Sequence, residues 1–174
     1  MKSKIWQIDQ FRSKRLLNIS GTQKTVLEGA PITNSYGLYW LYTNYTLSDL
    51  ISSTKAPLQG AIDMAGLAND RQCLAHICNI SDQGFRIVYN GIGGVGNKGT
   101  GGLKERILQQ FSGGKGTGSL AIKKSSLSDL SRWKYSYVIL QGDTVDIDLQ
   151  YSSWAEKLEN AWRLEFGWPI LCNQ

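Results

Sequence analysis

The middle of this chain carries a strand, a glycine-rich turn and a helix in direct succession. Within residues 85–94, apolar Ile87 and aromatic Tyr89 recur at the two-residue period of a strand, which the following glycines stop. From residue 103 onward the apolar side chains recur at helical spacing, at Leu103, Ile107, Leu108 and Phe111. The sequence therefore predicts a strand that leads through a glycine turn into a helix of about three turns, with Lys104 and Arg106 near its start.

The glycine-rich segments, residues 91–102 and 113–118, have two interpretations. A P-loop needs Gly-Lys followed by Ser or Thr. In the first segment Lys98 follows Asn97 instead of a glycine, and in the second Gly116 stands where the Ser or Thr should be. The glycines at 91, 93 and 96 match the dinucleotide-binding pattern in spacing alone, because no helix opens at the third of them. A flexible loop on a tight turn and a nucleotide-binding loop are both open at this point.

The charge of the chain favours a polyanionic partner. Nineteen Lys and Arg residues against 14 Asp and Glu give a net charge of +5, with a pI of about 9.1. The basic residues are interleaved with glycines and aromatic residues, as in grooves that follow a phosphate backbone. The candidate nucleic-acid contacts are Arg12, Lys14, Arg15, Lys98, Lys115, Lys123 and Lys124.

Membrane and secretory classes do not fit this composition. No apolar run approaches the roughly 18 residues of a membrane span, and the N-terminus lacks the apolar core of a signal peptide. Three cysteines, an odd number, argue for free thiols in a reducing compartment, so we expect a cytoplasmic protein with no membrane partner. Cys73, His76, Cys78 and Cys172 raise a zinc hypothesis, but their C-x-x-H-x-C spacing is not usual for zinc ligands.

The clearest strand is the aromatic segment at residues 36–43. Its alternation places Leu38, Trp40 and Tyr42 on one face and the residues between them on the other. Residues 135–141 are predicted as another strand, and residues 145–149 as a fourth candidate. The last helix is predicted to run from a capping box at Ser153 and Glu156 to about Phe166, where Gly167 and Pro169 end it.

Two further segments, residues 1–35 and 44–83, show less regular patterns. Residues 1–35 are interpreted as a basic arm or short helix followed by a loop or short edge element, with Arg12, Lys14 and Arg15 facing outward. In residues 44–83, Thr46 and Asp49 predict a short capped helix, and residues 73–80 fit a strand or a buried helical turn. Residues 81–84 are predicted as a turn that pairs this segment with the strand at 85–90.

Several short motifs follow one another in a fixed order along residues 36–174. They are Gly37-Leu38-Tyr39, Tyr89-Asn90-Gly91, Lys104-Glu105-Arg106, Glu159, and Pro169 with Asn173. In this order they resemble the motifs of the GIY-YIG nuclease family, and most of all its compact restriction endonucleases. The second motif has an alternative register, Gly91-Ile92-Gly93, which keeps Ile-Gly but loses the tyrosine.

The resemblance implies an α+β fold with a small three-stranded antiparallel sheet flanked by helices. Residues 36–174 would form the nuclease domain, and residues 1–35 an N-terminal arm that contacts DNA. Because about fifty residues separate Tyr39 from Tyr89, the resemblance also implies a long insertion in the first hairpin, at about residues 44–83.

The resemblance assigns roles to individual residues. Tyr39, Tyr89, Lys104, Arg106 and Glu159 would be catalytic, and Glu159 would also hold a single Mg²⁺ or Mn²⁺ ion. Phosphodiester cleavage needs an activated water and positive charge at the phosphate, which a metal ion, the arginine fork and the lysine would supply. The tyrosines would orient or deprotonate the water, and deprotonation needs a nearby cation because a free tyrosine has a pKa near 10. Asn173 would be an additional DNA-binding residue.

The expected function is that of a divalent-metal-dependent endonuclease acting on double-stranded DNA. The standalone size, the basic arm and the large insertion favour a sequence-specific restriction endonuclease. A homodimer is expected, since one such site cuts one strand. The alternatives are a nuclease of the same type in DNA repair or a mobile element, a nucleic-acid-binding module without catalysis, and a nucleotide-binding enzyme that uses residues 91–102.

Overall fold

Helices pack on both faces of one antiparallel sheet. The computed structural model describes residues 1–32, 35–94, 102–114, 118–140 and 153–173. In these residues the α-helices are α1 (Lys2–Ser13), α2 (Leu47–Ile51), α3 (Met64–Arg71), α4 (Leu103–Ser112) and α5 (Ser153–Phe166). The strands are β1 (Leu17–Ser20), β2 (Val26–Leu27), β3 (Gly37–Thr43), β4 (Ser81–Asp82), β5 (Phe85–Gly93) and β6 (Trp133–Ile139). None of the described helices is long and apolar enough to cross a membrane.

The α+β class is confirmed, but the prediction of a three-stranded sheet is wrong. The described sheet has six strands in the order β2-β1-β6-β3-β5-β4, and every neighbouring pair is antiparallel. The three predicted strands, β3, β5 and β6, lie together at its centre. The three additional strands are only two to four residues long, too short to show a two-residue period, and they form because longer strands offer them a free edge. The candidate strand at 145–149 lies outside the described residues.

Strand β3 is the centre of the molecule because it is buried on both faces along its whole length. Leu38, Trp40 and Tyr42 share one face, as predicted, and this face packs against α1 and α5. The Trp40 ring meets Trp162 edge to face at 5.5 Å between centroids. On the other face, Tyr39 and Leu41 pack with apolar side chains of α2, α3 and α4. The sheet is therefore the middle layer of three.

The N-terminal segment is part of this sheet and its helical layer. Strand β1 pairs with β6, and α1 buries Ile5 and Ile8 against β3. The prediction that Arg12 faces outward is wrong, because its side chain is only 4% exposed. Its guanidinium donates to the carboxylate of Asp9 and, at 2.8 Å, to the hydroxyl of Tyr42. Arg12 thus fixes α1 to the central strand.

The long connection between β3 and β5 carries α2, α3 and the short strand β4. The predicted capping box of α2 is confirmed, because Thr46 Oγ1 accepts from the Asp49 amide and the Asp49 carboxylate accepts from the Thr46 amide. Residues 73–80 form neither a strand nor a helical turn, apart from an isolated bridge between Ile77 and Trp168. Strands β3 and β5 are nevertheless neighbours, with Tyr39 directly opposite Gly91.

Candidate active site

A cavity of about 330 Å³ lies beside the C-terminal half of β5. It is lined by Tyr39, Ile62, Tyr89, Gly91, Ile92, Arg106, Gly118, Glu159, Arg163, Cys172 and Asn173. Four of the five predicted catalytic residues therefore meet at one place, and the predicted DNA-binding Asn173 lies there too. They come from β3, β5, α4, α5 and the C-terminal segment, so only the tertiary fold brings them together.

The two tyrosines form one wall of the cavity. Because Tyr39 pairs with Gly91 and Tyr89 pairs with Leu41, both side chains lie on the α4 face of the sheet as diagonal neighbours. Their ring centroids are 6.1 Å apart. Gln110 of α4 donates to the Tyr39 hydroxyl at 2.9 Å, and its own oxygen accepts from the Leu120 amide at 3.0 Å. Gln110 therefore holds Tyr39 in a fixed position.

Burial makes both tyrosines weaker acids than free tyrosine. It raises the pKa of Tyr39 well above its usual value, and it raises the pKa of Tyr89 to about 12. The positive charge of Arg106 lowers both pKa values, but by less than burial raises them. Both hydroxyls are therefore protonated at neutral pH, so each carries a proton that it could donate to a ligand.

Gly91 is required by the close approach of Tyr39. A Cβ atom at residue 91 would lie 2.6 Å from the Tyr39 hydroxyl oxygen and 2.7 Å from Cζ, closer than real contacts allow. Glycine at the third position of the motif Tyr89-Asn90-Gly91 thus lets the two tyrosines share this face of the sheet.

We expect Gly91→Ala to lower the free energy of unfolding by about 1–3 kcal/mol, because the added methyl group must displace the Tyr39 ring. Chemical denaturation would measure this loss. The same substitution in a Tyr39→Leu background should cost much less, since the obstructing hydroxyl and ring are gone. An equal cost in both backgrounds would rule out the Tyr39 contact as the cause.

Glu159 is the carboxylate among the described residues that line this cavity. Its side chain is 13% exposed and accepts a hydrogen bond at Oε1 from Arg163, one helical turn later, at 2.9 Å. Burial raises the pKa of Glu159 to about 7, and the nearby charges of Arg163 and Arg106 only partly offset that effect. The carboxyl group is therefore partly protonated near neutral pH, and a metal cation beside it would favour the ionised form.

Glu159 and Arg163, one helical turn apart on α5, form a buried ion pair. Arg163 Nε donates to the side-chain oxygen of Asn90 at 2.8 Å, and the guanidinium carbon lies 4.7 Å from the centre of the Trp168 ring. Asn90 in turn belongs to β5. Arg163 therefore connects the carboxylate of α5 to strand β5.

Arg106 reaches the cavity from the first turns of α4. Its Nη1 atom donates to Gln109 at 2.8 Å. Arg106 and Gln110 are four residues apart on this helix, so they lie on the same helical face. That face supplies both a positive charge and the hydrogen-bond donor to Tyr39. Lys104 is half-buried on α4 and is not among the residues that line the cavity, so its catalytic role stays a prediction.

The C-terminal segment closes the cavity along the edge of β5. The Leu171 amide donates to the Val88 carbonyl at 2.8 Å, and the Asn90 amide donates to the Cys172 sulfur at 3.2 Å. Arg71 of α3 donates to the Cys172 carbonyl oxygen. These contacts bring Asn173 to the cavity, and the contact from Arg71 joins α3 to the C-terminal segment.

The other predicted DNA-binding residues lie elsewhere. Lys123 and Lys124 line a separate cavity of about 410 Å³ with Lys24, and Lys123 donates to the Thr22 and Gln23 carbonyls. Lys14 lies over the ring of Phe11 and Arg15 over the ring of Tyr137. Lys98 and Lys115 lie outside the described residues.

The zinc hypothesis gains no support from the described residues. They contain no group of three or more His, Cys, Asp or Glu side chains that could hold a metal ion together. His76 Nε2 instead contacts the Leu164 carbonyl at 3.1 Å, and Cys172 lies in the cavity wall.

Comparisons of the chain with protein-family models, with curated proteins and with solved structures found no match.

Proposed function

We propose that this protein is a divalent-metal-dependent endonuclease that hydrolyses phosphodiester bonds of DNA. The observation that carries the proposal is the single cavity that unites Tyr39, Tyr89, Arg106 and Glu159. A carboxylate, a fixed positive charge and hydroxyl donors around one small space are the groups that phosphodiester hydrolysis requires. The order of the sequence motifs supports a GIY-YIG type of nuclease, with β3, β5 and β6 corresponding to its three-stranded sheet.

The donor set fits one Mg²⁺ or Mn²⁺ ion that retains most of its water. Mg²⁺ is commonly bound through one or two carboxylates together with substrate phosphate, and Glu159 offers one such group. When bound, the ion would supply charge stabilisation at the phosphate and lower the pKa of a water molecule. Burial raises the pKa of Glu159 even with Arg163 beside it, so a further cation in the cavity would favour the ionised carboxylate.

Arg106 and the tyrosines would act on the substrate directly. The guanidinium of Arg106 presents a fork of donors that matches two phosphate oxygens and would stabilise the negative charge that increases during the reaction. Protonated Tyr39 and Tyr89 would donate hydrogen bonds that orient the attacking water or a phosphate oxygen. Base catalysis by a tyrosine would require more positive charge than the described residues provide.

Double-stranded DNA is the proposed substrate, and a homodimer is the proposed active form. The net charge of +5 and the surface lysines at 24, 123 and 124 are consistent with a phosphate backbone. A single cavity of this kind cuts one strand, so a double-strand break needs two copies of the chain. Sequence-specific cleavage of the restriction type is the form of this proposal that the basic N-terminal segment and the long connection between β3 and β5 favour.

Incubation of the purified chain with plasmid and phage DNA, in Mg²⁺ or in EDTA, tests the proposal. Discrete fragments that require Mg²⁺ are expected. A metal-dependent smear would keep the nuclease and remove the restriction specificity. Intact DNA that is nevertheless retarded on a gel would favour a binding module without catalysis, and neither cleavage nor retardation of DNA would overturn the proposal.

The rate of cleavage should rise with pH through about 7. Below that pH the carboxyl group of Glu159 is protonated in the metal-free protein, so a proton competes with the cation for the same oxygen atoms. We expect the rate at subsaturating Mn²⁺ to fall by about tenfold for each pH unit below 7. Initial rates between pH 5.5 and 8.5 would measure this slope, and a flat profile across that range would contradict it.

A further inference from the structure

The ion pair between Glu159 and Arg163 is held in place from two sides. Both side chains are largely buried, at 13% and 7% exposure. Arg163 donates to Oε1 of Glu159 at 2.9 Å, to Oδ1 of Asn90 at 2.8 Å and, more weakly, to the Asn90 carbonyl at 3.4 Å. Its guanidinium also lies against the ring of Trp168. Arg163 cannot leave Glu159 without breaking these contacts, so its positive charge stays beside Oε1.

The other oxygen of Glu159 is differently placed. Among the hydrogen bonds of the described residues, Arg163 reaches Oε1 and no donor reaches Oε2. Glu159 lines the cavity, and its carboxylate is the one that the described lining residues supply. Oε2 is therefore the oxygen that a cation in the cavity would approach, because the guanidinium beside Oε1 repels a second cation there.

We propose that Arg163 is a positioning residue that restricts Glu159 to one cation-binding oxygen and thereby favours Mg²⁺ over Ca²⁺. The inference rests on the proposed function, because it takes Glu159 as the metal ligand. Mg²⁺ keeps several water molecules and needs few protein oxygens, whereas Ca²⁺ takes six to eight oxygens and often both oxygens of one carboxylate. A carboxylate with one oxygen already bonded suits the first ion better than the second.

Arg163→Met should release both oxygens of Glu159, and Arg163→Lys should retain a positive donor beside Oε1. Chemical-shift titration of the ¹⁵N-labelled full chain with Mg²⁺ and with Ca²⁺ would give both affinities without any need for cleavage. We expect the ratio of Ca²⁺ affinity to Mg²⁺ affinity to rise roughly tenfold in Arg163→Met. It should stay close to the wild-type ratio in Arg163→Lys.

Two further variants keep the test decisive. Arg132→Met removes an arginine that lies over Tyr45, away from the cavity, and should leave the ratio unchanged despite the same loss of net charge. Asn90→Ala keeps Arg163 but removes the acceptor of its Nε atom, so it should raise the ratio in the same direction even if Arg163→Met does not fold.

The outcomes separate this inference from the proposed function. An unchanged ratio in Arg163→Met and Asn90→Ala, with a wild-type chain that cuts DNA, would overturn the role of Arg163 alone. The expected change in ratio, with a wild-type chain that cuts no DNA, would support the role of Arg163 and overturn the nuclease. A wild-type chain that binds neither ion would overturn the role of Arg163, and it would overturn the nuclease as well if that chain also cuts no DNA.

Discussion

Glu159→Gln is expected to reduce Mg²⁺-dependent DNA cleavage by about a thousandfold. A bound metal ion contributes several kcal/mol to charge stabilisation in such reactions, and each 1.36 kcal/mol corresponds to a tenfold change in rate. Glutamine has the same size as glutamate and can still accept the hydrogen bond from Arg163, so the fold should be retained. Initial rates on plasmid DNA at saturating Mg²⁺ would measure the loss.

The matched control is Glu156→Gln. Glu156 lies one turn earlier on α5, is exposed and does not line the cavity, so its substitution changes the net charge equally. We expect nearly wild-type rates from this variant. If the Glu159→Gln variant keeps a tenth or more of the wild-type rate, Glu159 is not the ligand of the metal ion.

Arg106→Ala has the second largest expected effect, a loss of about a hundredfold or more in the rate of cleavage. Removing one preorganised donor to a developing negative charge typically costs that much. Arg106 bonds within the protein only to Gln109 in the described structure, so its loss should change stability little. Single-turnover rates, with the enzyme in excess over DNA and above the dissociation constant, would separate this effect from weaker binding.

Arg106→Lys and Lys104→Ala sharpen this experiment. Lysine keeps the charge but loses the two-pronged geometry, so Arg106→Lys should recover only part of the rate. Lys104 is two residues away on the same helix and lies outside the cavity lining, so Lys104→Ala should have the smaller effect. An equal loss in Lys104→Ala and Arg106→Ala would indicate a general electrostatic contribution to DNA binding instead.

The sequence predicted those features of the fold that depend on neighbouring residues. The alternation in β3, the helical spacing in α4 and the capping box of α2 are local patterns, and each element forms where its pattern lies. The candidate site was also predictable residue by residue, because Tyr39, Tyr89, Arg106 and Glu159 each belong to a motif. The motifs could not show that these residues share one cavity.

The features that sequence reasoning missed depend on distant partners. Strand β1 pairs Leu17 with Tyr135, far along the chain, and such a short strand carries no periodic signal of its own. Arginine side chains are mostly exposed, so the sequence places Arg12 at the surface. In the structure it is buried, because the Tyr42 hydroxyl of the central strand accepts a hydrogen bond from its guanidinium. Gln110 could have been noticed as four residues beyond Arg106, but its hydrogen bond to Tyr39 joins residues of different elements.

The sequence by itself determined the central strands and the two helices that carry Arg106 and Glu159. These follow from the side-chain period, which is a property of the local chain. Only the tertiary structure decided the six-stranded sheet, the burial that raises the pKa of Glu159, and the clamp of Arg163 between Asn90 and Trp168. Burial, desolvation and ion pairing depend on which distant residues exclude water from a group, and that is settled when the layers pack.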